Sequence, residues 1–129
     1  MLTLMLLLMA GLEVKHFVAD YLLQAGWMIA GKGRLGAPGG YAHAGLHAVL
    51  SAVVLLLGRI PVEAMLGLVV AEFVIHYALD YSKAHYGHGV DPDQDAPRYW
   101  SLHGLDQLLH QLTYVVMIWL SLLAAGANF

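Results

Sequence analysis

The chain reads Ala48-Val49-Leu50-Ser51-Ala52-Val53-Val54-Leu55-Leu56-Leu57 over ten consecutive residues, and serine is the only polar residue among them. A helix of this composition is apolar around most of its circumference, whereas a helix on the surface of a soluble protein carries a polar face. An apolar circumference suits a helix that is surrounded by lipid. Outward from this stretch, two later segments have the same character, and an earlier one is interrupted by ionisable residues.

The overall composition also favours a membrane protein. Of the 129 residues, 60% are hydrophobic and 12% are charged, and the mean hydropathy is +0.66. Ordinary soluble domains are about one quarter charged, and a small one needs many polar groups to cover its surface. A net charge of −3 without a basic patch argues against nucleic acid as a partner. The lack of cysteine excludes disulfides and thiolate metal sites.

Four apolar segments, separated by loops rich in glycine, proline and charge, predict the fold class. We expect an all-α integral membrane bundle of four transmembrane helices that run up, down, up and down. The predicted helices cover residues 2–24, 41–57, 62–83 and 101–125 of a single transmembrane domain, 1–129. A soluble four-helix bundle is the alternative, since it would tolerate the ionisable residues of the first helix.

Basic residues in the loops between these helices predict the orientation of the chain. Loops one and three contain Lys32, Arg34, Lys83 and Arg98, whereas loop two contains only Arg59. Because cytoplasmic loops carry the excess of lysine and arginine, we expect loops one and three in the cytoplasm and both termini outside. The apolar start of the chain lacks a basic segment before it, so we expect a retained span and not a cleaved signal peptide.

Ionisable residues lie at helical spacing within each predicted span, although each costs roughly 2.5–3.5 kcal/mol at the membrane centre. Residues three or four apart share a helix face, so each helix has one narrow polar stripe. In an up-and-down bundle the stripes lie at one level, near loops one and three, and are expected to meet in the interior. The stripes consist of His16 and Asp20, then His43 and His47, then Glu72, His76 and Asp80, and finally His103, Asp106 and His110.

Imidazoles and carboxylates in the absence of thiolates are typical ligands of divalent transition metals. We expect one or two ions, with zinc as the first choice and manganese or iron as alternatives. Eight ligands exceed the need of one tetrahedral ion, so either two ions bind or some aspartates orient imidazoles through hydrogen bonds. A hydrogen-bonded core pair is the alternative for any one His–Asp pair. The predicted ligands are His16, Asp20, His43, His47, His76, Asp80, Asp106 and His110.

Four motifs occur in order along the chain. They are His-Phe-x-x-Asp-x-x-x-Gln at 16–24, His-x-x-x-His at 43–47, His-x-x-x-Asp-x-x-Lys at 76–83 and Asp-Gln-x-x-His at 106–110. In this combination the chain resembles, over nearly its whole length, a family of small bacterial polytopic membrane proteins with a domain of unknown function. It is more loosely similar to inner-membrane proteins described as metal-dependent hydrolases. The resemblance implies a metal site in a multi-pass protein of the bacterial cytoplasmic membrane.

The leading functional hypothesis is a metal-dependent hydrolase that acts on a lipid or lipid-linked substrate at the cytoplasmic face. Glu72 and Asp80 are the predicted catalytic carboxylates, because a general base is needed to take a proton from water. Three alternatives stay open: a metal or proton transport module, a haem-binding electron carrier, and a structural or accessory membrane subunit. The expected partners are the lipid bilayer and a lipid-like substrate, and the sequence leaves the oligomeric state open.

Overall fold

Four long apolar helices and one short helix make up the computed structural model, which describes residues 1–127. The last two residues of the expected domain 1–129 lie outside the described part. The expected all-α architecture is confirmed, and the four long helices are each long and apolar enough to cross a membrane. The helices are α1 (Leu2–Phe17, continued by a π-helical turn, Val18–Leu22), α2 (Gly26–Gly31), α3 (Pro38–Leu57), α4 (Val62–Tyr86) and α5 (Ala96–Ala124).

Several helix ends differ from the predicted bounds. Helix α3 begins at Pro38 and not at 41, because proline in the first turn has a helical φ and lacks only an N–H that would be unbonded there. Helix α5 begins at Ala96 and not at 101, because the Asp95 carboxylate accepts a hydrogen bond from the Arg98 N–H at 3.3 Å and caps the helix. Helix α4 continues to Tyr86 and not only to 83. Loop three is therefore shorter than expected.

The first predicted helix, 2–24, is not α-helical to its end. The Leu23 N–H donates to the Val18 carbonyl oxygen, five residues back, at 3.0 Å, and residues Val18–Leu22 form a π-helical turn. Such a turn holds more than 3.6 residues and changes the direction of the side chains within it. Asp20 lies in this turn, so the direction of its carboxylate depends on a local backbone feature.

An apolar core fills the half of the bundle that lies toward loop two. It includes Leu8 and Leu12 of α1, Leu55 of α3 and Met117 of α5, each at most 3% exposed. The outer surface is apolar as well, since large hydrophobic side chains are exposed on each of the four long helices, for example Leu7 at 63%, Val49 at 63%, Val70 at 63% and Val115 at 60%. Exposed apolar area of this extent is expected where lipid covers it. The structure therefore indicates a multi-pass membrane protein, while its bacterial location and its orientation remain predictions.

Glycines allow α2 to lie directly against the start of α3. A Cβ atom at Gly39 would lie 2.5 Å from the Trp27 carbonyl oxygen, and one at Gly31 would lie 2.8 Å from the Gly39 Cα. These neighbours are backbone atoms, so a rotating side chain cannot relieve the overlap. The close approach positions Lys32, the residue that follows α2.

Because of this backbone contact, we expect Gly39→Ala to lower the free energy of unfolding by about 1–3 kcal/mol, the usual cost of overpacking. Thermal unfolding in detergent measures the change. Gly104→Ala is the matched control, since no atom other than the local backbone of α5 lies within 4 Å of a Cβ built there. In the interior of α5 it should raise stability by up to about 1 kcal/mol, because alanine favours helix. Equal effects of the two variants would contradict close packing at Gly39.

Candidate metal centre

The polar stripes of the four long helices converge in the half of the bundle next to loops one and three. At 1.5 Å per residue, His43 lies about 8 Å from the start of α3, and Asp80 about 9 Å from the end of α4. The convergence is internal, because the five histidines concerned are each at most 5% exposed. These histidines are His16, His43, His47, His76 and His110.

The first group of converging side chains consists of Asp20, His43, His47 and His76, whose potential ligand atoms all lie within 4.8 Å of one another. The Nε2 atoms of His43 and His47 are each 3.0 Å from Asp20 Oδ1. Only the contact of His47 has the geometry of a hydrogen bond. Side chains from α1's π-turn, α3 and α4 therefore point at one small volume.

The second group consists of His76, Asp80 and His110, again within 4.8 Å of one another. His76 Nε2 is 3.3 Å from Asp80 Oδ2, and His110 Nε2 is 3.7 Å from Asp80 Oδ1. The ring centroid of His76 lies 3.8 Å from that of His47 and 4.2 Å from that of His110. His76 thus belongs to both groups, which are direct neighbours.

Buried nitrogen atoms without hydrogen-bond partners indicate that these groups fit a cation. Within residues 1–127, the Nδ1 atoms of His43 and His76 lack such a partner. Their Nε2 atoms lie 3.0 and 3.3 Å from a carboxylate oxygen but without the angles of a hydrogen bond. An unsatisfied buried polar atom costs about 1–3 kcal/mol. An imidazole lone pair can instead be donated to a divalent metal, and three imidazoles with one carboxylate match a tetrahedral set. The residues present could therefore hold a metal ion.

Two of the eight predicted ligands lie beside these groups and not in them. His16 has both nitrogens engaged, with Nδ1 2.9 Å from the Tyr114 hydroxyl and Nε2 3.2 Å from Gln107 Oε1 and from Asp20 Oδ2. Asp106 has Oδ2 at 2.7 Å from Lys83 Nζ. In these positions His16 and Asp106 can orient neighbouring ligands. Their role as ligands stays a prediction.

Glu72, one of the two predicted catalytic carboxylates, lies deeper in the bundle and forms a buried ion pair with Lys15. Lys15 Nζ is also 3.2 Å from His47 Nδ1, on the side of the ring opposite Asp20. The same ammonium lies 4.4 Å from the centroid of the Tyr114 ring. Glu72 is therefore linked to the first group through Lys15 and His47.

Lys15 and Tyr114 are missing from the set of predicted site residues, although the sequence contains a signal for each. Charges buried in a membrane usually pair, which would have linked Lys15 with Glu72. Tyr114 lies four residues after His110 and so extends the polar stripe of α5 along the same face. Lys15 contacts His47, and Tyr114 contacts His16, each from the side of the two groups that faces the apolar core.

The fold and the site define a class of protein: a polytopic membrane protein of four long helices with a buried histidine–aspartate cluster. The chain belongs to the family described as Protein of unknown function (DUF3307), whose match covers residues 3–129. Comparison with curated proteins and with solved structures gave no match. The expected membership of an uncharacterised family is therefore confirmed, whereas the looser similarity to metal-dependent hydrolases stays a prediction.

Proposed function

We propose that the two groups bind one or two divalent cations, with zinc as the first choice, and that the protein is a metal-dependent hydrolase. Its substrate is a lipid or a lipid-linked molecule that is reached from the cytoplasmic face. The observation that carries the proposal is the convergence of imidazole and carboxylate atoms within 4.8 Å in two groups that share His76. Two adjacent cation sites suit hydrolysis, because both the attacking and the leaving oxygen need stabilisation.

In this proposal, a bound divalent cation supplies Lewis acidity, which polarises the substrate and makes a water more acidic. Asp80 takes the proton from the attacking water as general base, because its carboxylate lies between His76 and His110 and also lines a cavity open to loops one and three. The water oxygen forms a bond to the phosphorus or carbonyl carbon, and the bond to the leaving oxygen breaks. The leaving oxygen takes a proton from water in the cavity.

In the same proposal, Glu72 does not act as the general base. It holds Lys15, and Lys15 in turn orients the ring of His47.

The packing of the cluster argues against haem and against transport. The rings of His47, His76 and His110 are too close together to admit a flat macrocycle, with centroids 3.8 and 4.2 Å apart. Beyond the level of Tyr114 and the Lys15–Glu72 pair, the described interior toward loop two is the apolar core, in which the hydroxyls of Ser51 and Ser121 are the buried polar side-chain groups. A polar path across the bundle would need more than these two hydroxyls.

We expect detergent-purified protein to be colourless and to contain about one or two equivalents of zinc, manganese or iron by elemental analysis. Asp80→Asn should lower the metal content, since the amide is a weaker ligand than the carboxylate. Asp93→Asn, in the exposed part of loop three, is the matched control and should leave the metal content unchanged. Metal-free protein whose stability a chelator leaves unchanged would contradict the metal site and favour a structural or accessory role.

Hydrolytic activity is tested separately from metal binding. Metal-loaded protein in mixed micelles should release product from a lipid phosphoester or an acyl ester, and Asp80→Asn should lower kcat by about 10²–10⁴-fold, even with the metal content restored. Protein that retains its metal but cleaves neither class of ester would contradict the hydrolase and leave the metal site standing.

A further inference from the structure

A cavity of about 280 Å³ connects the cluster with the side of loops one and three. It lies between α2, the end of α4 and the start of α5, and Asp80 lines its inner end. Its apolar wall includes Ile29 and Leu102. Its ammonium groups are those of Lys32 and Lys83, and the imidazole of His103 also lines it. The combination of an apolar wall with two ammonium groups suits an anion that carries an apolar tail.

The two lysines hold carboxylates of the cluster and still face the cavity. Lys32 Nζ is 2.9 Å from Asp80 Oδ2, and Lys83 Nζ is 2.7 Å from Asp106 Oδ2. The side chain of Lys32 is 15% exposed and that of Lys83 is 36% exposed. An ammonium group has three N–H donors. Lys83 uses two of them, on Asp106 Oδ2 and on His103 Nδ1 at 3.2 Å, and so keeps one for an anion in the cavity. Lys32 forms an ion pair with Asp80 and keeps N–H donors for an anion as well.

The charge of the cluster also favours an anionic ligand once cations are bound. With neutral imidazoles, four carboxylates face three ammonium groups, which leaves a net charge of −1. One divalent cation would change this to +1, and two would change it to +3. Buried charge needs a partner of opposite sign. The groups counted are Asp20, Glu72, Asp80 and Asp106 against Lys15, Lys32 and Lys83.

We propose that this cavity binds the phosphate group of a lipid-linked substrate, with Lys32 and Lys83 as its binding residues; the inference rests on the proposed metal site. A phosphate carries up to two negative charges and accepts several charge-assisted hydrogen bonds, which an uncharged acyl ester does not. Two residues of α2 indicate that this phosphate belongs to a lipid. Ile29 is 55% exposed and extends the apolar wall of the cavity to the outer surface. Trp27 is 54% exposed. Tryptophan is typical of the membrane interface.

Isothermal titration of the metal-loaded protein in detergent tests the proposal, with inorganic phosphate and dihexanoyl phosphatidic acid as the two probes. We expect both to bind, and the lipid phosphate to bind more tightly. Lys32→Gln and Lys83→Gln should each weaken binding by about 10- to 100-fold, as for the loss of a hydrogen bond to a charged group. Their metal content should stay unchanged, and Lys32→Arg should retain binding. Arg34→Gln, a nearby loop cation outside the cavity lining, is the control and should bind as the unchanged protein does.

Each contrary result has a distinct meaning. Metal-loaded protein that binds neither probe would overturn this inference and leave the proposed metal site intact. Equal affinity for the two probes would overturn the lipid as the source of the phosphate. A Lys32→Gln protein that loses its metal would assign Lys32 to holding Asp80 and would overturn its role in binding the anion. Protein without any bound metal would overturn the proposed function and, with it, this inference.

Discussion

Replacing His76 by alanine is expected to lower metal affinity by more than about 100-fold at both groups. Changes to residues that only orient a ligand already cost 10- to 100-fold, and His76 is itself a potential ligand in each group. The loss should be larger than for His110→Ala, because His110 belongs to the second group alone. Elemental analysis of the purified variants, followed by competition with a chromophoric chelator, measures both occupancy and affinity.

His85→Ala is the matched control, because His85 lies on the same helix but is exposed in its last turn. It should bind metal as the unchanged protein does. His76→Gln keeps a polar side chain of similar size and separates loss of a ligand from loss of packing. If both variants at position 76 keep full metal occupancy and affinity, His76 is not a metal ligand and only packs the helices together. If they lose one ion and keep the other at unchanged affinity, His76 is not shared.

Lys15→Ala is expected to lower the free energy of unfolding by about 3–5 kcal/mol, the usual cost of removing one partner of a buried ion pair. The Glu72 carboxylate, 1% exposed, would lose its ammonium partner, and its Oε2 atom has no hydrogen-bond partner even in the intact pair. Replacing both charged side chains of the pair by uncharged ones should lower the free energy of unfolding much less. We therefore expect the double variant Lys15→Met with Glu72→Gln to recover most of the loss.

Denaturant titration in detergent measures these changes, and a second titration with a chelator present separates the contribution of altered metal affinity. Thr3→Ala is the control on the same helix, because Thr3 is uncharged and exposed in the first turn, and it should change stability by no more than about 0.5 kcal/mol. The proposed role of the Lys15–Glu72 pair would be contradicted if Lys15→Ala were as mild as Thr3→Ala, or if the double variant were no more stable than the single one.

Much of the architecture could be predicted from the sequence because it depends on local patterns. Apolar runs such as 48–57 predict helices that face lipid, and the spacing of His43 with His47 or His76 with Asp80 predicts which residues share a face. Counting residues from the loops then predicts the depth of each stripe. The apolar pattern predicts the starts of α3 and α5 a few residues too late, because Pro38 and the Asp95 cap begin these helices before the apolar residues do.

The sequence by itself therefore determined the helical class, the number of apolar spans and the level at which histidine and aspartate occur, since composition and period follow from neighbours along one helix. Only the tertiary structure decided that His76 is common to two groups, that Lys15 pairs with Glu72, and that Lys32 reaches Asp80. These contacts join residues far apart in the chain. They depend on how each helix is rotated about its axis, on the π-turn that directs Asp20, and on the glycines that bring α2 against α3. Helical periodicity specifies a face and a depth, but the neighbour that a face meets is specified by packing.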